Sequence, residues 1–151
     1  MKKYLLLLVF VLLLTGCMKE EKGKITCTLN SNDVINNYKL DAKYVINYVN
    51  DIVEFVETEE IVTSSDSSTL SYFENYLNDT YKKMNDSYSG YEYSITNANG
   101  KVTAKVKIDY NKMDINQYII DQPSLKSYVK DNKFKKDGLK SIYESMGAEC
   151  Q

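Results

Sequence analysis

Residues 91–110, YEYSITNANGKVTAKVKIDY, decide the fold. Tyr91, Tyr93 and Ile95 alternate with Glu92, Ser94 and Thr96 before Asn99-Gly100. After it Val102, Ala104, Val106, Ile108 and Tyr110 alternate with Lys101, Thr103, Lys105, Lys107 and Asp109. Side chains of a strand point to opposite faces with period two, so each run has one apolar and one solvated face. Asn-Gly between such runs is the turn that lets two residues adopt positive φ, and so predicts an antiparallel hairpin.

Working outward towards the N-terminus, three more alternating segments precede this hairpin. KITCTLN (24–30) carries Ile25, Cys27 and Leu29 on one face, and Ser31-Asn32-Asp33 has turn chemistry. Tyr38, Leu40, Ala42, Tyr44, Ile46 and Tyr48 share a face opposite Lys39, Asp41, Lys43 and Asn47. After Asn50-Asp51, IVEFVETEEIVT (52–63) is rich in β-branched residues, with Val53 and Phe55 expected on one side. The three read as a meander.

The period then changes. Leu70, Phe73, Leu77, Tyr81 and Met84 recur at three and four, predicting an amphipathic helix from about Ser67 to Asn85 behind several N-cap residues. Beyond the hairpin, residues 113–132 are weakly patterned and broken by Pro123, with Ser124 able to cap a short turn. Leu139, Ile142, Tyr143 and Met146 mark a last helix from about Lys135, with Gly147 as its stop. The expected fold is α+β: an antiparallel sheet of about five strands, ordered β-β-β-α-β-β-α, with helices on one face.

The N-terminus is of another kind. Lys2 and Lys3 precede eleven uncharged residues, YLLLLVFVLLL (4–14), too few for the roughly 20 that span a bilayer. This is the apolar core of a signal peptide. Leu14-Thr15-Gly16-Cys17 resembles the lipobox of bacterial lipoproteins. That resemblance implies a leader over 1–16, cleavage before Cys17, a diacylglyceryl group on its thiol and an extracytoplasmic, lipid-anchored location. Residues 17–24 then read as lipidated cysteine and tether, and 25–151 as one domain.

Composition removes many chemistries. The chain has no histidine, its 19 basic residues are all lysine, and loss of Lys2 and Lys3 takes the formal charge from −2 to −4. A mildly acidic, arginine-free chain is a poor candidate for nucleic acid, and for anionic lipid on its folded face. Without imidazole there is no Ser-His-Asp triad, no Cys-His pair and no histidine metal ligand. Ser127-Tyr128-Val129-Lys130 matches S-x-x-K, and Lys136-Asp137-Gly138 faintly echoes its partner motif, yet the chain is too short for those enzymes. Glu54, Glu57, Glu59 and Glu60 suggest calcium only weakly, since alternation splits them between two faces, and a solvated strand edge is the plainer reading. No metal or cofactor is expected.

With Cys17 lipidated, Cys27 and Cys150 remain, and outside the cytoplasm an even pair reads most simply as a disulfide. Two free thiols, or a catalytic cysteine lacking its base, are the alternatives. Of the 14 tyrosines, Tyr38, Tyr44, Tyr48, Tyr91, Tyr93 and Tyr110 share one sheet face. Their alternation with charge is that of core residues; a binding face is the other reading.

The lipobox, the strand KITCTLN, the hairpin YEYSITNANGKVTAKVKIDYNKMD and the ending LKSIYESMGAEC together resemble the YehR-like family of small bacterial lipoproteins. The resemblance implies one α+β domain and brings no catalytic residues to carry over. The expected function is a non-catalytic module binding a protein, peptide or wall fragment at the cell envelope. A structural or regulatory accessory of an envelope complex, and a carboxylate-based hydrolase, are the alternatives.

Overall fold

A computed structural model describes residues 20–151; the leader (1–16), Cys17 and the first tether residues, Met18 and Lys19, lie outside the described residues. The meander comprises β1 (Lys22–Asp33), β2 (Tyr38–Val49) and β3 (Ile52–Thr63). Helix α1 (Ser67–Ser87) follows, then the hairpin of β4 (Tyr91–Ala98) and β5 (Lys101–Asp109). A short α2 (Ile115–Asp121) leads through a 3-10 turn (Pro123–Tyr128) to two-residue strands β6 (Val129–Lys130) and β7 (Lys133–Phe134). Helix α3 (Lys136–Ser145) and β8 (Glu149–Cys150) complete the chain.

The main sheet is antiparallel and six-stranded, in the order β4-β5-β3-β2-β1-β8. The α+β class and the meander–helix–hairpin–helix order are as the sequence indicates. The sixth strand and the β6–β7 hairpin are additions. The tether is shorter than expected, because Lys22 already pairs with Val49, and Glu21 and Asn50 bond each other through backbone and side chain. Positive φ at Asn99 and Gly100, as the Asn-Gly signal requires, turns β4 into β5.

The helices cover one sheet face. Val62, Val102 and Ala104 are buried with Leu70 and Leu77 of α1. Further along, Tyr44, Ile46, Val56 and Val106 are buried with Tyr118 of α2, Phe134 of β7 and Leu139 of α3. Two expectations fail on β3. A bulge opposite Asn47/Tyr48 sends Val53 to the core and leaves Phe55 half-buried on the other face, where the Lys107 ammonium sits 5.0 Å from its ring centroid. Nor is β3 an edge: it lies between β2 and β5, so its glutamates guard no open strand.

The cysteines are joined, Cys27 to Cys150, with Cα atoms 4.0 Å apart. They are direct partners in the β1–β8 ladder, which Thr26 and Gln151 extend with two backbone bonds of 2.9 Å.

Candidate functional site

At the end of the sheet away from the chain's start, Asp66 caps α1. Its carboxylate accepts from the Ser68 and Thr69 amides at 3.0 and 3.2 Å and from both hydroxyls at 2.6 and 2.8 Å. The Ser68 hydroxyl, then that of Thr69, hold its carboxyl down at about 2. The buried Ser64 hydroxyl donates to the Asn37 carbonyl at 2.6 Å and accepts from the Asp66 amide at 3.0 Å. One hydroxyl thus ties the β1–β2 turn to the start of the helix. Within that turn Asp33 accepts from the Asn36 amide and side chain at 2.9 and 2.7 Å.

The frame presents an aromatic surface. Tyr72 and Tyr76, one turn apart on α1, have nearly parallel rings with centroids 6.2 Å apart, and are 63% and 54% exposed. Phe73 packs edge-on to Tyr72 and to Tyr38, at 5.4 and 4.7 Å between centroids. These four rings, with Asn36, Ser68 and Thr69, line a groove of about 570 Å³. Val34 and Ile35, 80% and 94% exposed, precede Asn36 on the turn. Apolar side chains this bare, beside rings with polar tips, are what a binding surface shows.

The six tyrosines singled out from the sequence do not form this surface. Only Tyr38 lines it. Tyr44, Tyr91 and Tyr110 are buried, against the binding-face reading, because their register points them at the face the helices cover. Tyr44 stacks on Tyr143 of α3 at 4.3 Å. Tyr93 is half-buried, and its hydroxyl donates to Asn78 of α1 at 3.3 Å. The Tyr48 ring lies across Gly23, 2.5 Å from where a Cβ would stand, with the Lys136 ammonium 4.5 Å from its centroid. The sequence reading missed Tyr72 and Tyr76, although their spacing of four, off the Leu70–Leu77 stripe, was the signal.

Glu60, which the sequence suggested as part of a solvated strand edge, is instead largely buried. It shares the face of Val56 and Val62 and sits under α1, where the Tyr81 hydroxyl donates to Oε2 at 2.5 Å and the Tyr44 hydroxyl supports the carboxylate more weakly. Burial raises its pKa against both hydrogen bonds. Burial, then the Glu60 charge, also push the Tyr44 phenol up to about 12. Glu57 and Glu59 face the opposite side, in a shallow groove of about 470 Å³ shared with Lys43, Lys105 and Lys107. There Lys105 pairs with Glu59 at 3.4 Å, and the two signs are interspersed. Among the described residues no three acidic or cysteine side chains converge on a metal-sized site. Ser127 and Lys130 of the S-x-x-K match are both exposed, on the 3-10 turn and on β6.

The class follows from the N-terminus together with the fold. Residues 1–17 match the prokaryotic membrane lipoprotein lipid attachment site, so this is a membrane-anchored lipoprotein carrying one described α+β domain. Among the described residues no helix is long and apolar enough to cross a membrane. The YehR protein of E. coli, solved by NMR, is similar in structure, with a TM-score of 0.55 at 14% identity over 88% of this chain and 93% of that one. An NMR structure of a Streptococcus pneumoniae protein is also similar, with a TM-score of 0.53 at 12% identity over 91% and 90%. The chain thus has the fold of the protein whose family its residues resemble. No curated protein sequence matches it.

Proposed function

We propose that this lipoprotein is a non-catalytic binding module, held on the extracytoplasmic side of its membrane, that grips an apolar segment of another envelope protein. The aromatic groove carries the reading: Tyr72 and Tyr76 line it with Asn36, whose turn also carries the bare Val34 and Ile35, on a frame fixed by Ser64 and Asp66. Large rings with few rotatable bonds anchor partners at low entropic cost, and such residues dominate interface energetics. The face that holds them is built by local capping and turn bonds, so it stands formed before any partner arrives. An accessory subunit of an envelope complex would use the same surface. The absence of catalysis is part of the proposal. Glu60, the carboxyl whose pKa burial raises, is engaged by tyrosines, and its neighbours Glu57 and Glu59 face away from it.

The test places a photo-crosslinking phenylalanine at Tyr76 of the intact lipoprotein in its membrane. One dominant protein adduct is expected, its yield falling about tenfold or more when Tyr72→Ala removes a central anchor. Adducts scattered over many proteins and indifferent to Tyr72→Ala would sink the proposal. A melting-point rise with wall sugars and none with peptides would replace the protein partner by a glycan.

A further inference from the structure

The end of the domain nearest the lipid has its own chemistry. Four residues separate Cys17 from the paired Asn50, counting Glu21 itself, and at full extension they reach about 14 Å. This end of the sheet therefore stays within about a headgroup layer and a Debye length of the acyl chains. Asn50 and Asp51 turn β2 into β3 here, and α3 starts beside them, with the Lys136 amide donating to the Asp51 carbonyl at 3.0 Å and Ile52 bridging Lys135. The β6–β7 hairpin runs directly into that contact, turning at Asp131-Asn132, both with positive φ.

The overall acidic composition speaks against anionic lipid on the folded domain, but the charge is unevenly placed: from Gln122 to Lys136 the chain carries five lysines and one acid, Asp131. Lys136 is spent on Asp51, at 3.7 Å, and on the Tyr48 ring. The other four, Lys126, Lys130, Lys133 and Lys135, form no ion pair among the described residues. Two nearby acids are engaged, since Asp114 caps α2 and Asp121 holds Tyr88 and Gln117, while Asp131 stays beside Ile120 as one negative charge against the four lysines. Beside Lys126 and Val129, across a shallow cleft, Ile120 of α2 is 71% exposed. A bare isoleucine beside Lys126 and Asp131, on an end of the domain that also carries Lys130, Lys133 and Lys135 and lies close to a lipid anchor, has the make-up of an interfacial contact: apolar tip in the headgroups, ammonium groups on the phosphates.

We propose that the β6–β7 hairpin and α2 form a second membrane contact, in which Lys126, Lys130, Lys133 and Lys135 bind anionic phospholipid headgroups around an inserted Ile120. The contact acts together with the lipid: the acyl chains hold the domain at the surface, and the basic patch sets how it lies there. It fixes which end of the domain meets the bilayer and leaves the aromatic groove pointing outward. It stands whether or not that groove binds protein.

The experiment uses the mature lipidated protein in vesicles and measures acylation of each lysine by mass spectrometry. On vesicles containing phosphatidylglycerol, the four lysines should label about threefold or more slowly than on pure phosphatidylcholine, an effect erased by high salt. Lys39 and Lys101, at the far end of β2 and β5, should label equally on both. Ile120→Asp, a change at an exposed position, should return part of the labelling. Equal rates on the two vesicles would overturn the proposal, as would equal protection of Lys39 and Lys101. Protection by soluble polyglycerol phosphate alone, with none from the lipid, would overturn it in favour of a wall polymer.

Discussion

Glu60 shows what one side chain can cost and hold. It lies in the apolar column Val56-Thr58-Glu60-Val62 and meets two tyrosine hydroxyls where a core strand would ordinarily present another valine. Its folded pKa is raised above the ordinary value of 4.5, so between those two values the folded chain binds the extra proton. Its contribution to stability is therefore greatest below 4.5 and declines as pH rises through the folded pKa. Glu60→Gln should flatten that decline in urea midpoints followed from acid to neutral pH, and should be at least as stable as the parent at neutral pH. A steeper decline in the variant would refute the assignment. Tyr81→Phe should cost about 1.5–3 kcal/mol at neutral pH, the range for a hydrogen bond to a charged group, and about 1 kcal/mol in the Glu60→Gln background. The same residue marks a limit of reading along the chain. Alternation assigns Glu60 to the column of Val56 and Val62, but only α1 laid over that column makes it a buried carboxyl.

Elements differ in how plainly the sequence announces them. The β4–β5 hairpin was legible because its apolar period, its β-branched content and Asn99-Gly100 agree. Helix α1 was legible because its stripe, Leu70 to Met84, runs about four turns behind a capping aspartate. Strand β8 has two residues, below any periodic signal, and only the cysteine count pointed to its place. The β6–β7 hairpin has two residues a side and no such marker. The misplaced Phe55 has one cause, the bulge, which breaks period two after Val53. Strand β8 also carries a prediction. Two ladder pairs are few, so its hold on β1 leans on the disulfide, which closes a separation of 123 residues. Reducing it should cost about 2–4 kcal/mol and lower the thermal midpoint by roughly 10 °C. The change should be matched by Cys150→Ala, and hydrogen exchange should quicken first at Thr26 and Gln151. A midpoint indifferent to reductant would show that β8 is held by packing alone.

At the scale of the whole molecule the two ends of one sheet carry different chemistries. Twelve-residue strands at about 3.3 Å per residue separate them by roughly 36 Å. The start of the described chain, the lysines and Ile120 lie at one end, with Val34, Ile35 and the exposed tyrosines at the other. A tether of only a few residues limits how far the domain can stray, but it does not by itself stop the domain from lying down on the bilayer. The basic hairpin would set that angle. A fluorescent donor at Ile35, with acceptor lipids in phosphatidylglycerol vesicles, reads the tip's height directly. With a donor–acceptor pair chosen to transfer only over distances well short of the separation between the two ends, transfer should be weak in the lipidated parent. It should strengthen when Lys126, Lys130, Lys133 and Lys135 are all changed to Gln, because the domain then samples tilted orientations on the same tether. A flexible insertion of about 20 residues after Lys19, with a root-mean-square length near 25 Å, should by itself change the signal little if the hairpin holds the surface. Combined with the four Gln substitutions, it should abolish the orientation. Strong transfer in the parent would place the aromatic groove against the lipid, and would turn that groove from a protein-binding surface into part of the membrane contact.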